Sequence, residues 1–244
     1  MEEWIQRQLA EGQQPVGQPR LMFQQWLHVL FLHWTIDPGI VQRTLPAELL
    51  VDTYEGMAWI GIVPFCMRRV LPTVLSSLST NFLELNLRTY VKDHHGAPGV
   101  WFYSLDANHP IAVWMARLFF ALPYWHAKMR AEARNEEIRY SSQRRGSSAP
   151  LEYQFLPSEA LGEAKIGSLE FFLVERYRLF ALRRRQLLTG RVYHSPYSLR
   201  KAVVLNLDKR LFQLDGLPSP AGPASSALYS AGVEVTVYPM KAVS

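Results

Sequence analysis

Cysteine is almost absent from this sequence of 244 residues, in which Cys66 is the only example. A disulfide within the chain is therefore impossible, and a structural zinc site built from several thiolates is excluded. This low use of cysteine agrees with a reducing compartment, and we expect a cytoplasmic protein. A chain of this length can bury enough apolar surface to fold without covalent cross-links.

Long hydrophobic runs are also missing. The most apolar stretch, LMFQQWLHVLFLHWTI, is interrupted by glutamine and histidine. It is also shorter than the roughly 20 apolar residues that a membrane-spanning helix needs. The first residues, MEEWIQRQLAEG, are acidic and amphipathic and differ from the apolar core of a signal peptide. We therefore expect no membrane as a partner.

Motifs for nucleotides, metals and hydrolytic catalysis are missing as well. The sequence has no G-x-G-x-x-G or P-loop pattern and no G-x-S-x-G nucleophile elbow. We expect no cofactor and no metal ion. The net charge is +5, with arginine clusters at 144–145 and 183–185, but nucleic-acid binding would need a recognisable motif beside a basic face. The positive charge therefore indicates either a solvated surface or an anionic small-molecule ligand, and no nucleic-acid partner.

Alternation of polar and apolar residues is the main pattern that the sequence does contain. In FLELNLRTYV, residues 82–91, leucines alternate with Glu84, Asn86 and Arg88. Successive side chains of a strand point to opposite faces, so these three polar residues are predicted to share one face. MAWIGIVPFCMRRVL is predicted to be a buried strand interrupted at Pro64. Further strands are predicted for GVWFYSLDA, HAKMRAEAR, IRYSSQRR, YRLFAL, QLLTGRVYHS and GVEVTVYPM.

Two segments contain helix signals. Asn108 is predicted to cap a helix over residues 109–122, and Ser168 is predicted to open a short helix in SLEFFLVERY. The first of these helices is apolar on nearly all sides, so we expect it to be buried. Strands and helices together predict an α+β fold built on a large curved antiparallel sheet. Residues 1–20 are expected to form a loose arm or a short helix, and residues 21–244 a single domain.

Glu84, Asn86 and Arg88 are the first candidates for a functional site. An arginine can hold a carboxylate through two parallel hydrogen bonds while a neighbouring glutamate transfers a proton. The alternative is the solvent face of a half-exposed sheet, where opposite charges stabilise each other. Arg117 is the second candidate, since it is the one charge inside the helix that we expect to be buried. It would either pair with a carboxylate, Glu84 being the first choice, or contact a ligand directly.

These stretches resemble, in this order, the uncharacterised family DUF2071, also called YqjF-like. The resemblance extends from about Trp26 to Pro239. It rests on LHWTID, DTYEGMAWIGIVPF, FLELNLRTYV, GVWFYSLDA, ARLFFALPYWHAKM, LEFFLVERY and HSPY. That family is similar to acetoacetate decarboxylase. The resemblance therefore implies a cone-like antiparallel β-barrel with flanking helices and an internal cavity.

Decarboxylases of this type have a cavity glutamate, an arginine in a Gly-Arg-Glu stretch, and a Pro-Lys-Lys stretch. The first lysine of that stretch forms a Schiff base with the keto acid. The resemblance assigns Glu84 to the cavity glutamate and Arg117 to the arginine. Tyr124 and Trp125 then fall on the two lysine positions, which implies that the Schiff-base lysine is absent. On a strand Lys128 would share a face with Tyr124 and His126, about 13 Å further along than Tyr124, and it is kept as a candidate ligand-binding residue.

Three functions are compatible with these residues. The first is an internal cavity that binds a small anionic or carbonyl-containing molecule, such as an organic acid. Arg88 or Arg117 would hold this ligand, and Glu84, Asn86 and Tyr124 would orient it. The second is a lyase or isomerase without a Schiff base, with Glu84 as the base and Tyr124 as the acid. The third is a non-catalytic structural or interaction module with a filled interior. A homo-oligomer is possible in each case, and fold alone does not choose among them.

Overall fold

The computed structural model describes residues 2–72 and 79–243. The helices of this part are α1 (Glu3–Glu11), α2 (Pro38–Gln42), α3 (Pro110–Phe120), α4 (Leu169–Val174) and α5 (Arg210–Leu214). The strands are β1 (Met22–Ile36), β2 (Leu49–Val51), β3 (Thr53–Tyr54), β4 (Met57–Pro72), β5 (Thr80–Asp93), β6 (Pro98–Ala107), β7 (Tyr124–Arg134), β8 (Glu137–Arg144), β9 (Leu151–Gly162), β10 (Arg178–Arg183), β11 (Gln186–Tyr193), β12 (Leu199–Leu207), β13 (Ser226–Val237) and β14 (Lys241–Ala242). Within these ranges, no helix combines the length and the hydrophobicity that crossing a bilayer requires.

The described strands form one 14-stranded sheet in which most neighbours are antiparallel. The path β6–β7–β8–β9–β12–β13–β1–β4–β5 returns to β6 through the β5–β6 pairing and so forms a closed ring. A β11–β13 pairing joins β10 and β11 into a second ring that shares strands with the first. The predicted α+β fold on a large curved antiparallel sheet is confirmed. Two parallel pairings, of β7 and of β10 with β6, were not predicted.

β5 separates two clusters of buried side chains. Leu85 and Leu87 pack into one cluster with apolar side chains of β1 and β4. Phe82 and Tyr90 pack into the other cluster, and the polar residues between them line a cavity on that same side. The predicted alternation of 82–91 is confirmed, and it turns a row of polar side chains toward the interior.

β4 is continuous through Pro64, whereas the sequence predicted an interruption there. Pro64 is paired with Leu85 of β5. On the other side, the β1–β4 register shifts between Leu27 and Leu32, and residues 63–65 have no paired residue on β1. Proline has no N–H to donate, so this irregularity accepts it without the loss of a ladder hydrogen bond on the β1 side.

α3 connects the parallel strands β6 and β7, because such strands require a crossover connection instead of a tight turn. The crossover sets Tyr124, the first residue of β7, opposite Leu105 of β6. Since β6 is also paired with β5, Tyr124 lies within reach of the polar row of β5. The placement of this tyrosine therefore depends on the length and packing of α3.

The N-cap of α3 is His109. The sequence had predicted Asn108 at this position, and that prediction is wrong. The Nδ1 atom of His109 accepts a hydrogen bond from the backbone N–H of Ala112 at 3.1 Å. The side-chain oxygen of Asn108 accepts instead from the backbone N–H of Leu83 at 2.8 Å. Asn108 thus ties the end of β6 to β5, and the cap moves one residue along the chain.

α3 is largely exposed, so the prediction of a buried helix is wrong. Val113 is its one buried residue. Ala112 and Ala116 are partly buried against the apolar cluster of the cavity side. The outer surface instead presents large apolar side chains to solvent: Ile111, Trp114, Met115, Leu118 and Phe119. A helix that contacts the sheet along one face cannot bury an apolar surface that continues all round it.

α1 shows that the first residues are fixed to the domain. Gln8 is buried, and its Nε2 donates to the carbonyl oxygens of Phe171 at 2.6 Å and Glu175 at 2.8 Å. The ring of Trp4 also packs against Phe171. Of the two forms expected for residues 1–20, the structure has the short helix.

Candidate functional site

A cavity of about 480 Å³ lies between the sheet and α3. Its volume is within the range of small-molecule sites, and such sites combine apolar walls with a few polar groups. Ile111 and Met115 belong to the lining and are exposed, so the mouth lies beside α3. Most of the lining is apolar. Its polar members are Gln24, Thr80, Glu84, Asn86, Arg88, His109, Tyr124, Arg176, Arg178 and Tyr197.

The polar row of β5 lies deep inside this cavity. Glu84 and Asn86 are each 3% exposed and Arg88 is 9% exposed. β5 is held between β4 and β6, with Glu84 opposite Phe65 on one side and Ala107 on the other. The backbone of the row is therefore fixed by two ladders, and the alternative of a solvent-facing strand is wrong.

Glu84 and Tyr124 form a buried hydrogen-bonded pair. The hydroxyl of Tyr124 donates to Oε2 of Glu84 at 2.6 Å. The amide of Asn86 donates to Oε1 of Glu84 at 3.4 Å. Burial raises the pKa of Glu84 to about 7, because these hydrogen bonds and the positive charge of Arg88 offset only part of the desolvation. Glu84 can therefore gain or lose a proton near neutral pH, as a general acid or base must.

Tyr124 is a hydrogen-bond donor in this arrangement. Burial and the neighbouring Glu84 carboxylate hold the pKa of Tyr124 well above its usual value. Its proton is therefore retained at neutral pH. Tyr124 can therefore stabilise an ionised Glu84 by this hydrogen bond. Alternatively, a ligand oxygen can accept the hydrogen bond of Tyr124 in place of the Glu84 carboxylate.

Arg88 is a buried guanidinium with no carboxylate at ion-pair distance in the described chain. Its Nη2 donates to the carbonyl oxygen of Leu173 at 3.4 Å, and its Nε has no partner. The rings of Phe31 and Tyr90 lie 5.6 and 5.8 Å from its Cζ. Cation–π contacts offset only part of the cost of burying a charge. Asn86 Oδ1 is likewise buried without a partner. The site thus contains both donors and an acceptor that remain available.

Arg176 and Arg178 also line the cavity, and sequence reasoning missed both. Arg176 donates from Nη1 to Oδ2 of Asp52 at 2.8 Å. Arg178 donates from Nη2 to Oε1 of Glu11 at 2.6 Å. Their charges are therefore compensated, unlike that of Arg88. The run Glu-Arg-Tyr-Arg directly after an apolar helix was the only available signal, and it does not reveal which way these side chains turn.

Arg117 lies outside the cavity lining, and the predicted buried pair with Glu84 is wrong. Arg117 is exposed, and its Nε donates to the carbonyl oxygen of Tyr124 at 2.7 Å. Its guanidinium stacks over the ring of Trp125 at 5.8 Å. It forms no ion pair with any carboxylate in the described ranges. The reason is the exposure of α3, which turns Arg117 toward solvent.

Lys128 is also outside the lining. We expected it to share a face with Tyr124, but the burial pattern of β7 changes phase at His126. Lys128 therefore points outward together with Arg130, while Tyr124 points into the cavity. None of the described residues that line the cavity is a lysine.

A second buried cluster lies outside the lining and has its charges paired. Arg144 contacts Oδ1 of Asp106 at 2.8 Å and Oδ1 of Asp215 at 2.7 Å. Its Nη2 also donates to the hydroxyl of Ser104 at 2.8 Å. Arg144 is thus a buried arginine with full carboxylate pairing, and it serves as a reference for Arg88.

Solved structures with a similar fold include acetoacetate decarboxylases and an enzyme of enduracididine biosynthesis. The enduracididine biosynthesis enzyme MppR has a TM-score of 0.66 and 11% identity, covering 94% of this chain and 92% of MppR. Acetoacetate decarboxylase from Legionella pneumophila subsp. pneumophila str. Philadelphia 1 has a TM-score of 0.62 and 13% identity, covering 95% of this chain and 91% of that one. At this identity the likeness defines the fold, which is acetoacetate decarboxylase-like.

Sequence comparison assigns the family. The model of DUF2071, an uncharacterized conserved protein, matches residues 23–234. The chain is 41% identical over 187 residues to the uncharacterized protein YqjF of Bacillus subtilis (strain 168), covering 75% of this chain and 76% of that protein. The chain belongs to the DUF2071 family, and the resemblance drawn from its sequence motifs is confirmed.

Proposed function

We propose that the cavity binds a small organic anion through Arg88. The observation that supports this most strongly is the buried guanidinium of Arg88, with an unpaired Nε and no carboxylate partner in the described chain. A carboxylate ligand can accept two parallel hydrogen bonds from a guanidinium. Binding would therefore supply the negative charge that the folded protein does not provide at this point.

Glu84, Asn86 and Tyr124 orient the ligand in this proposal. Asn86 Oδ1 is free to accept a hydrogen bond from a ligand hydroxyl. The proton of Tyr124, or that of a protonated Glu84, can be donated to a ligand carbonyl. The apolar walls keep water out and strengthen each of these polar contacts. Arg117 and Lys128 have no part in this site, because neither lines the cavity.

The fold neighbours support an organic acid as the first ligand to test. The MppR structure is described as a complex with pyruvate, a small keto acid. That contact belongs to MppR, and at 11% identity it suggests a class of molecule and nothing finer. An open volume of about 480 Å³ argues against a module with a filled interior.

A second function, a lyase or isomerase without a Schiff base, is favoured by the pKa of Glu84. A carboxyl group with a pKa of about 7 can act as a base on the carbon next to a carbonyl. Tyr124, which keeps its proton, would serve as the acid toward the carbonyl oxygen. No imine step is proposed, because the lining contains no lysine among the described residues.

Calorimetric titration with a panel of organic acids and their neutral amides tests the anion site. We expect acids of the right shape to bind the parent protein and their amides to bind much more weakly. Arg88→Met should abolish the preference for the acid, whereas Arg130→Met, at an exposed position of β7, should retain it. Equal binding of an acid to the parent and to Arg88→Met would contradict the proposal, as would the absence of binding by all acids.

A further inference from the structure

We infer that the anion bound in this cavity has an elongated apolar chain, so that the ligand class is a medium-chain aliphatic carboxylate. The inference rests on the proposed anion site at Arg88 and extends it to the other end of the cavity. The distribution of polar and apolar side chains along β5 supports it.

The cavity follows β5 over much of its length. Its lining includes alternate residues of this strand from Thr80 to Arg88, which is roughly 26 Å of backbone. Arg88 lies at one end of this row and Glu84 near the middle. Beyond Glu84 the wall becomes mostly apolar, with Phe82 opposite Met67 of β4. The carbon chain of a ligand anchored at Arg88 therefore runs toward Glu84, about 13 Å along the strand, and is directed at this apolar wall.

Positive charge is confined to the Arg88 end. The Cζ of Arg176 lies 5.1 Å from the ring of Tyr90, two residues beyond Arg88. Tyr90 and Leu179 are both paired with Val100, which brings the start of β10, including Arg178, to the same end. Toward Thr80 the lining on β4 and β5 is mostly apolar, with Met67, Val70 and Phe82. Its polar members there are Thr80 itself, His109 beside Phe82, and Gln24 of β1. A cavity that is cationic at one end and mostly apolar at the other fits an amphipathic anion.

The cavity is larger than a short acid requires. A volume of about 480 Å³ lies in the range of sites that bind drug-sized molecules, which are several times larger than a three-carbon acid. A molecule as small as pyruvate would leave most of the apolar wall in contact with water or empty. An aliphatic chain covers that wall and gains affinity from the apolar area that it buries.

Affinity should therefore rise with chain length. Burial of one methylene group tightens binding by about fourfold. From butyrate to octanoate the gain should reach on the order of a hundredfold, if each methylene is fully buried. This dependence should stop once the chain reaches the mouth beside α3.

Calorimetric titration of the full chain with butyrate, hexanoate, octanoate and decanoate at constant salt tests this inference. We expect the Kd to fall by about fourfold per methylene up to octanoate, and Arg88→Met to weaken octanoate binding at least tenfold. Equal affinity for all four acids, with the Arg88 dependence intact, would overturn the apolar-chain inference and leave the anion site in place. If Arg88→Met leaves the octanoate Kd unchanged, both the apolar-chain inference and the anion site at Arg88 are overturned.

Discussion

Replacing Glu84 by glutamine should change how the stability of the protein depends on pH. In the folded protein the pKa of Glu84 is about 7, against an ordinary value of 4.5. The folded state therefore holds this proton more tightly than the unfolded state. The stability that this provides is fully present below pH 4.5 and is lost as the pH rises toward 7. The difference between the two pKa values corresponds to about 3 kcal/mol, at about 1.4 kcal/mol per pH unit.

Glu84→Gln removes this titration while it keeps the shape of the side chain. Urea denaturation of the parent and the variant, from about pH 4 to about pH 8, measures both free energies of unfolding. Their difference should shift by about 3 kcal/mol in favour of the variant across this range. The difference is the relevant quantity, because other buried groups with shifted pKa values, such as Asp106 and His194, contribute to both proteins. Glu152→Gln, at an exposed position, should follow the parent. A difference between parent and Glu84→Gln that stays constant with pH would refute the assignment of a raised pKa to Glu84.

Three further predictions concern the same site. Tyr124→Phe removes a hydrogen bond that lowers the pKa of Glu84. The titration midpoint of the Glu84 carboxyl band in infrared spectra should therefore move above pH 7. An unchanged midpoint would show that this hydrogen bond does not affect the pKa of Glu84. Arg88→Met should leave the free energy of unfolding of the ligand-free protein unchanged or raise it. Arg144→Met should lower it by about 3–5 kcal/mol, because loss of Arg144 leaves the buried carboxylates of Asp106 and Asp215 unpaired. Similar losses for both in denaturant unfolding would mean that Arg88 is a structural residue. Borohydride reduction with acetoacetate should leave no covalent adduct detectable by mass spectrometry, and a stoichiometric adduct, on Lys128 for example, would contradict the absence of imine chemistry.

The polar row of the site could be predicted from sequence because its signal is local. Glu84, Asn86 and Arg88 alternate with leucines, and a strand converts that alternation directly into two faces. The closed ring of strands gives β5 an inner face, and this polar face lines the cavity inside it. Tyr124 was found through the family resemblance, and its contact with Glu84 follows from the parallel pairing of β7 with β6.

The rest of the site depends on contacts between distant parts of the chain. Arg117 was expected to be buried because α3 is apolar all round, yet only one face of α3 meets the sheet. Lys128 was assigned to the face of Tyr124, but the phase of β7 changes between them at His126. Arg176 reaches the cavity through the packing of α4, which no local pattern specifies. The local periodicity and composition of the sequence do not reveal the exposure of α3, the phase change in β7 or the packing of α4.

A crystal structure of the protein with bound octanoate tests the central claim most directly. The proposed site predicts the carboxylate oxygens within about 2.7–3.2 Å of the guanidinium nitrogens of Arg88. It also predicts that the carbon chain runs along β5 from Arg88 toward Glu84. A carboxylate bound away from Arg88, with the Nε of Arg88 still unpartnered, would contradict the claim that this arginine is held in the cavity for an anion.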